Sequence, residues 1–549
     1  MNKTKKLLFS LVITLVIAAV AFYVMLPPLN IQSTDFWSFL TFVVVVFGLA
    51  NAILSIDIRS YIQGNVKPSI RGNRFAWSIV IAAVLPVAVI IIGTFTSSAF
   101  FNARSYAGIV AVEEAVFEDD MPETNTVTNI ALMDSTSAIT IGNRTLGALS
   151  NVVSQYEVAP KYTQINYTGT PKKVANLEYV GFFKWLGNRS VGVPGFVMVD
   201  PVNISAEYVE LTKPMKYVES AYFNEDLYRA IRFKYPTKIF YNFSFEVDEA
   251  GNPYYIVACA KPKVGLFGAL DINEVITFDP CTGESDIFSV ESSPTWIDNV
   301  YTGKLASEKY DWYGLYSKGY LNSIIGNKDC KVTTDDFGYI MIGDDVWYFT
   351  GVTSITSDES NIGFIISNAR TGEYKFYPII GAEEYSAMRS AEGEVQEKRY
   401  TASFPSLINI SGEATYIMVL KDDAGIVRLY ALVNVEQYTI VATGETQESA
   451  KKAYVERLKQ EGILEDNLLD DPDLPTVTKK EIIVSDIKMP VISGDTVVYI
   501  TDEEGIVYKE RLSDNESLIL IEIGDKIEFY YADTDIEEIK QVFSFKFVS

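Results

Sequence analysis

The chain has 549 residues, which is too long for one hydrophobic core and predicts about three or four folded domains. Its 46 basic and 71 acidic residues give a net charge of −25, so nucleic acid is excluded as an expected partner, because phosphate binding needs basic patches. The chain contains no histidine, which excludes a Ser-His-Asp triad, a Cys-His dyad and a His-ligated zinc site.

Three apolar runs near the N-terminus predict a membrane anchor of three helices over residues 1–104. The runs cover residues 7–26, 36–55 and 75–101, and each reaches the roughly 20 residues that a helix needs to cross a hydrocarbon core. Only a helix satisfies its own backbone in lipid, so each run is predicted to be helical. None of the runs contains Asp, Glu, Lys or Arg, which indicates an anchor or a partner-binding surface and not an ion pathway.

Basic residues predict the orientation of these helices. They precede the first run and fill the loop between the second and third runs, at Lys3, Lys5, Lys6, Arg59, Lys67, Arg71 and Arg74. Because basic loops stay in the cytoplasm, we expect a multi-pass protein of the cell membrane, with a cytoplasmic N-terminus and an extracytoplasmic region from residue 105 onward. The charge agrees, since only two of the 71 acidic residues lie within residues 1–104. Cleavage of the first run as a signal peptide near residues 19–21 is the alternative.

Residues 105–215 are predicted as a juxtamembrane helix followed by an α+β region. Apolar residues between Tyr106 and Val116 recur at helical spacing, which predicts a helix over residues 105–120. The small-residue stretch 134–149 is predicted to be helical in part. Short alternating segments, typical of strands, begin near residue 158.

Residues 216–290 are predicted as one α+β module. An amphipathic helix at 220–233 is followed by strands at 240–247, 253–260 and 274–278 and by the closing sequence Asp279-Pro280-Cys281-Thr282-Gly283-Glu284. This order, with the sequence DEAGNPYYIV and a closing D-x-x-T-G-E, resembles the PepSY domain, a small extracytoplasmic α/β module of bacterial envelope proteins. Residues 261–273 lengthen the second hairpin beyond the usual form of that family. The resemblance implies a protein of the cell envelope.

Residues 291–463 are predicted as a second α+β module and a possible partial repeat. Strands at 346–355 and 362–368 close in Thr371-Gly372-Glu373, which matches the position of Thr282-Gly283-Glu284 in the preceding module. Residues 351–388 are also similar to multi-pass membrane proteins of Gram-positive bacteria, a group that implies the architecture and the compartment but no activity.

An aromatic helical stretch at 296–325 supplies the candidate binding residues. Trp312, Tyr313, Tyr316 and Tyr320 are spaced by three and four residues, which places them on one helix face. The face is either part of a core that packs on a sheet or a platform for a sugar or a peptide. The spacing alone leaves both interpretations open.

The three cysteines are Cys259, Cys281 and Cys330, and none belongs to a Cys-x-x-Cys pair that would indicate a zinc or redox site. The predicted strand register separates Cys259 from Cys281 by about 23 Å, too far for a disulfide. We expect Cys259 to be a buried core residue, while a pair between Cys281 and Cys330 stays open. No cofactor and no metal are predicted.

The C-terminal part is predicted as an acidic linker and a small domain. Residues 464–475 are acidic and contain proline, which is typical of a linker. Residues 476–549 alternate as about five short strands, which predicts a small five-stranded β domain of the OB or SH3 kind.

The predicted fold class is therefore multi-domain, with three N-terminal transmembrane helices, a large β-rich α+β extracytoplasmic region and a small C-terminal domain like a β-barrel. The predicted partners are the lipid bilayer and another envelope protein, and the function favoured is non-enzymatic binding or scaffolding. The alternative is a surface enzyme that acts on a cell-wall glycan or peptide through paired carboxylates. Its candidates include Glu383, Glu384, Glu392 and Glu394. An envelope sensor is the third possibility, and it would need a membrane partner.

Overall fold

The computed structural model describes residues 3–55, 74–124, 130, 132–133, 135–355, 357–464, 478–492, 495–512, 516–533 and 539–547. The chain forms two compact units, Met1–Arg457 and Leu458–Ser549. The basic loop with Arg59, Lys67 and Arg71 lies outside the described residues, as does the predicted linker except for Leu464.

The first unit begins with four helices, which include two candidate membrane spans, or up to three if a bent pair counts as one span. The helices are α1 (Lys3–Met25), α2 (Thr34–Ser55), α3 (Arg74–Thr96) and α4 (Ala99–Ala107). Thr4–Met25 and Thr34–Leu54 are long and apolar enough to cross a bilayer, which is consistent with membrane anchoring. The third apolar run is broken at Ser97 and Ser98, because α4 turns away from the end of α3 by 55°.

The predicted helix over residues 105–120 is wrong for most of its length. α4 ends at Ala107, and the chain then forms strand β1 (Val112–Glu114) and a single helical turn, α5 (Phe117–Asp120). β1 pairs in parallel with a later strand of the same unit, at Tyr374 to Phe376. The helical spacing was misleading because this pairing satisfies the backbone while the apolar side chains still reach a core, as the buried Val110 shows.

Four modules follow in series, and each contains a helix and then a four-stranded antiparallel meander. Module I has α6 (Ser135–Gly147), α7 (Ser150–Val153), β2 (Tyr156–Val158), β3 (Thr163–Tyr167), β4 (Thr170–Tyr179), α8 (Phe182–Asn188), β5 (Val193–Asp200) and β6 (Ser205–Met215). Module II has α9 (Leu227–Lys234), β7 (Ile239–Val247), β8 (Pro253–Val264), β9 (Gly268–Phe278) and β10 (Ser285–Ser289).

The other two modules repeat this order. Module III has α10 (Gly303–Tyr316), β11 (Lys331–Thr333), β12 (Gly338–Ile342), β13 (Asp345–Ser354), β14 (Ser357–Asn368), β15 (Tyr374–Tyr377) and β16 (Gly381–Ala382). Module IV has α11 (Glu384–Glu394), β17 (Thr401–Ala402), β18 (Ser406–Ile410), β19 (Glu413–Lys421), β20 (Val427–Asn434) and β21 (Val441–Gly444), and α12 (Gln447–Gln460) follows. The meanders are β3 to β6, β7 to β10, β12 to β15 and β18 to β21, each paired in chain order.

Modules II and III also share one turn between their third and fourth strands. The side chain of Asp279 accepts hydrogen bonds from the amides of Cys281 and Thr282, and the side chain of Asn368 accepts them from Arg370 and Thr371. The glycines of both turns have positive φ, +78° at Gly283 and +74° at Gly372. The two Thr-Gly-Glu segments therefore occupy equivalent positions.

The strands of module II follow the prediction closely, and its helix does not. Residues 261–273 continue the β8–β9 hairpin to a tip where Val264 pairs with Gly268. The predicted helix at 220–233 is shorter, because a 3-10 turn (Phe223–Glu225) precedes α9 and the side chain of Asp226 caps α9 by accepting from the amide of Arg229.

Neighbouring modules share hydrophobic cores. Residues of modules I and II, such as Trp185, Phe196 and Tyr255, form one buried cluster. Residues of modules III and IV, such as Phe349 and Tyr416, form another. A single sheet would leave the apolar residues that it contributes to a shared cluster in contact with water. The modules therefore stabilise one another, as repeats in series do.

The second unit is a six-stranded sheet with its own core. Its strands are β22 (Thr478–Lys488), β23 (Val491–Ile492), β24 (Asp495–Asp502), β25 (Val507–Arg511), β26 (Lys526–Asp533) and β27 (Ile539–Phe547). The pairing order is β22-β26-β27-β25-β24-β23, and β22 also pairs with β24. Val498, Tyr508 and Ile527 are among its fully buried residues.

All three cysteines are free. Cys259 is buried in the core that modules I and II share, which confirms the prediction. Cys281 and Cys330 do not form the disulfide that the sequence left open.

Candidate functional site

The predicted aromatic face packs against α4. Trp312 and Tyr316 of α10 both contact Tyr106, with ring centroids 5.2 and 6.1 Å apart. Tyr320 follows the end of α10, contacts Phe100 at 5.3 Å and stacks on Tyr316.

Tyr313 points elsewhere, since its nearest ring is Tyr310 at 5.8 Å and it packs on the core of module III. The structure therefore brings three of the four residues together over a helix of the same chain. A ligand-binding role for the face stays a prediction.

The N-terminal helices are joined to module II by hydrogen bonds between side chains and backbone groups. The hydroxyl of Ser97, at the end of α3, accepts from the amides of Leu266 and Phe267 at the tip of the β8–β9 hairpin, at 2.8 and 3.2 Å. Arg229 Nε donates to the carbonyl of Tyr23 at 3.0 Å, and Arg232 Nε donates to that of Leu26 at 3.0 Å. Module II is thus attached to the ends of both α1 and α3.

A polar cavity of about 270 Å³ lies between modules I and II. It is lined by Ala159, Pro160, Lys161, Thr163, Asn176, Glu178, Glu219, Phe243, Phe245 and Tyr255. Lys161 precedes β3, Glu178 lies on β4, and Glu219 lies between β6 and α9. Phe243 and Phe245 reach the cavity together because alternate residues of β7 face the same side.

The two carboxylates of the cavity share one electrostatic environment. Burial raises the pKa of Glu178, and the nearby charge of Glu219 raises it further. Burial also raises the pKa of Glu219, while Lys161 and a hydrogen bond from Tyr228 partly offset that shift. The ammonium group of Lys161 offsets the charge of only one of these carboxylates, Glu219, so a further cation would be favoured beside Glu178.

Lys161 and Tyr255 also contribute polar groups to the cavity. Lys161 Nζ donates to Asn242 Oδ1 at 3.2 Å and to the carbonyl of Phe243, and desolvation lowers the pKa of Lys161. Tyr255 is 1% exposed, and its hydroxyl has no hydrogen-bond partner among the described residues. A buried hydroxyl without a partner costs free energy, and a bound polar group would recover it.

The carboxylates that the sequence offered for catalysis hold the fold together instead. Glu384 is fully buried, and its Oε1 accepts from the amide of Gly351 at 2.6 Å. Glu392 Oε1 accepts from the amide of Ala402 at 2.9 Å, and Glu383 faces Arg389. Within the described ranges, no group of three or more Cys, Asp and Glu residues is arranged to hold a metal ion.

Sequence reasoning missed the cavity between modules I and II. Its residues come from five separate segments, and none of them forms a motif with its neighbours. The only local sign was the short distance in sequence between Glu219 and the predicted helix at 220–233. Comparison of the chain with models of known protein families gave no match, and comparison with curated proteins gave none either.

Proposed function

We propose that this protein is a non-enzymatic, membrane-anchored protein of the bacterial cell envelope whose outer modules bind another envelope protein. In this proposal the chain crosses the membrane three times, with its N-terminus in the cytoplasm and modules I to IV outside. Module II and its neighbours are PepSY-like units, and β22 to β27 form a small barrel.

The cavity between modules I and II carries the proposal. It holds two carboxylates and one lysine, and Phe243, Phe245 and Tyr255 supply aromatic walls. A primary ammonium group suits such a site, because carboxylates pair with it and aromatic faces attract it. The volume of about 270 Å³ is below that of usual small-molecule sites, so one side chain of a partner fits better than a whole ligand. We infer a lysine side chain or an N-terminus of the partner protein.

The test is in-cell cross-linking of the tagged full-length protein, followed by mass spectrometry. The variant Glu178→Gln/Glu219→Gln removes both negative charges, and Glu249→Gln, in the exposed β7–β8 turn, is the matched control. We expect one near-stoichiometric envelope partner with the wild type and the control, reduced at least tenfold with the double variant. A partner that is retained by the double variant would overturn the role of the cavity.

The second candidate is a surface enzyme that hydrolyses a wall glycan or peptide. The observation in its favour is the pair Glu178 and Glu219, whose raised pKa values would let one carboxyl be a general acid while the other stays ionised. Purified full-length protein would then release soluble products from wall material, and both single Gln variants would lose that activity. Absence of product release from the wild type would exclude this candidate.

A further inference from the structure

An exposed aromatic patch lies beside the end of α1. It consists of Phe182, Phe183, Leu186, Tyr222 and Phe223, and it is built on the buried Trp185. Phe183 is 83% exposed and Phe223 is 58% exposed. A contiguous exposed cluster of this kind marks an interaction surface more often than a solvated one.

The aromatic patch is tied to the candidate membrane span. The hydroxyl of Tyr23, in the last turns of α1, donates to Asn224 Oδ1 at 3.2 Å. The guanidinium of Arg229 lies 4.2 Å from the centre of the Tyr23 ring and donates to the carbonyl of Phe223. The patch is therefore next to the level at which α1 ends.

A second exposed patch, which we call the aliphatic patch although it includes two phenylalanines, lies beside the end of α3. It consists of Phe100 and Phe101 on α4 and of Leu321, Ile324 and Ile325 in the turn after α10. Ile325 is 80% exposed and Leu321 is 69% exposed. The contact of Phe100 with Tyr320 joins the two parts, and α4 continues directly from α3 after the 55° bend.

Both patches carry basic residues, of which Arg189 pairs with Glu225 and Lys318 pairs with Asp329. Residues 182–189 include Lys184 and Arg189, and residues 318–328 include Lys318 and Lys328. Apolar side chains flanked by Lys and Arg are typical of segments that lie in the interface of a bilayer with anionic lipids.

We propose that the aromatic patch and the aliphatic patch both insert into the headgroup region of the bilayer that α1 and α3 enter, on the side of the modules. The helices α1 and α3 end beside the patches, so in a membrane-anchored chain the apolar side chains would otherwise face water immediately beside lipid. Modules I and III would then rest on the membrane at two points. The proposal depends on membrane anchoring and is independent of any ligand of the cavity.

Spin labels on the full-length protein in proteoliposomes test the proposal. Single cysteines are placed by Phe183→Cys and Ile325→Cys in a Cys281→Ser background, because Cys259 and Cys330 are buried. Ile426→Cys is the matched control, since Ile426 is exposed but lies in an acidic hairpin turn with Asp422 and Asp423. Oxygen concentrates in lipid and a nickel chelate stays in water, so the ratio of their effects on spin relaxation reports immersion.

We expect the oxygen-to-nickel ratio at positions 183 and 325 to exceed that at 426 several-fold, at every protein-to-lipid ratio. A ratio like that of position 426 at either label would overturn the proposal. Protection that disappears when the protein is diluted in lipid would overturn it as well, because a second copy of the chain, and not lipid, would then cover the patches.

Discussion

At the scale of single residues, the modules are joined by buried charged groups that come from distant parts of the chain. Lys309 of α10 is 3% exposed and donates to Asp271 of β9 at 2.6 Å, which joins module III to module II. The same ammonium group lies 4.7 Å from the centre of the Tyr301 ring. Such a pair gains from its aromatic and ionic partners only while both charges are present.

Removal of one charge of this pair should destabilise the first unit strongly. Asp271→Asn leaves the ammonium group of Lys309 buried without its main partner, at a cost of about 3–5 kcal/mol. The measurement is thermal unfolding of the detergent-purified full-length protein. Glu274→Gln, which breaks a more exposed pair on the same strand, should cost at most about 1 kcal/mol. Equal losses in the two variants would contradict the special role of the buried pair.

Glu384 should make the stability of modules III and IV depend on pH. Burial raises its pKa to about 7, above its value of about 4.5 in the unfolded chain, so the folded state holds a proton that the unfolded state releases. The contribution of Glu384 to the free energy of unfolding is therefore largest below about pH 4.5. It falls by up to about 3 kcal/mol as the pH rises to about 7.

The measurement compares unfolding of the wild type and of Glu384→Gln at pH 5 and at pH 7.5. The glutamine cannot ionise, so the wild type should lose more stability than the variant across this interval. The same pH dependence in both proteins would mean that Glu384 does not titrate there.

At the scale of elements, the sequence predicted the strands of module II well and the helices at 105–120 and 220–233 less well. Strands at 240–247 and 253–260 were predictable because alternation and turn residues act locally, and β7 and β8 begin within one residue of those bounds. The helix predicted at 105–120 failed because its partner, β15, lies far along the chain. The cavity could not be predicted, since only the packing of module I on module II brings Glu178 and Glu219 together.

Replacement of the turn glycine by alanine should destabilise module II and module III in the same way. A Cβ at Gly283 would lie 2.7 Å from the ring of Tyr217, and a Cβ at Gly372 would lie 2.7 Å from the ring of Tyr301. Gly283→Ala and Gly372→Ala should therefore cost more than the roughly 1–2 kcal/mol of a left-handed backbone alone. Gly412→Ala isolates that backbone cost, because φ is +84° and no atom lies within 4 Å of its Cβ. Unfolding temperatures that fall equally in all three variants would contradict this explanation.

At the scale of the whole molecule, the two units differ in how they depend on their neighbours. Modules III and IV share one buried cluster, so removal of either module would expose the residues that the other contributes to it. The buried cluster of the second unit is made only of residues between Ile482 and Val542. The second unit therefore has a core that does not depend on the modules.

Truncated chains should show which cores depend on a neighbour and which do not. A chain that ends after residue 464 should keep the unfolding temperature of the first unit, because no residue of that unit belongs to the core of the second. A chain that ends after residue 383 loses module IV and exposes Phe349 and Phe364, so it should unfold at a much lower temperature or fail to be purified. Thermal unfolding followed by tryptophan fluorescence distinguishes the outcomes, and equal behaviour of the two truncated chains would contradict the shared core.

The attachment of the β8–β9 hairpin to Ser97 couples the position of module II to that of α3. One hydroxyl holds two successive amides at the hairpin tip, so a tilt or a vertical shift of α3 carries the tip with it. β8 has 12 residues and continues into the core next to the cavity, where Tyr255 lies near its other end. In the proposed arrangement, in which α3 crosses the bilayer, a displacement of α3 would therefore reach the cavity between modules I and II through β8.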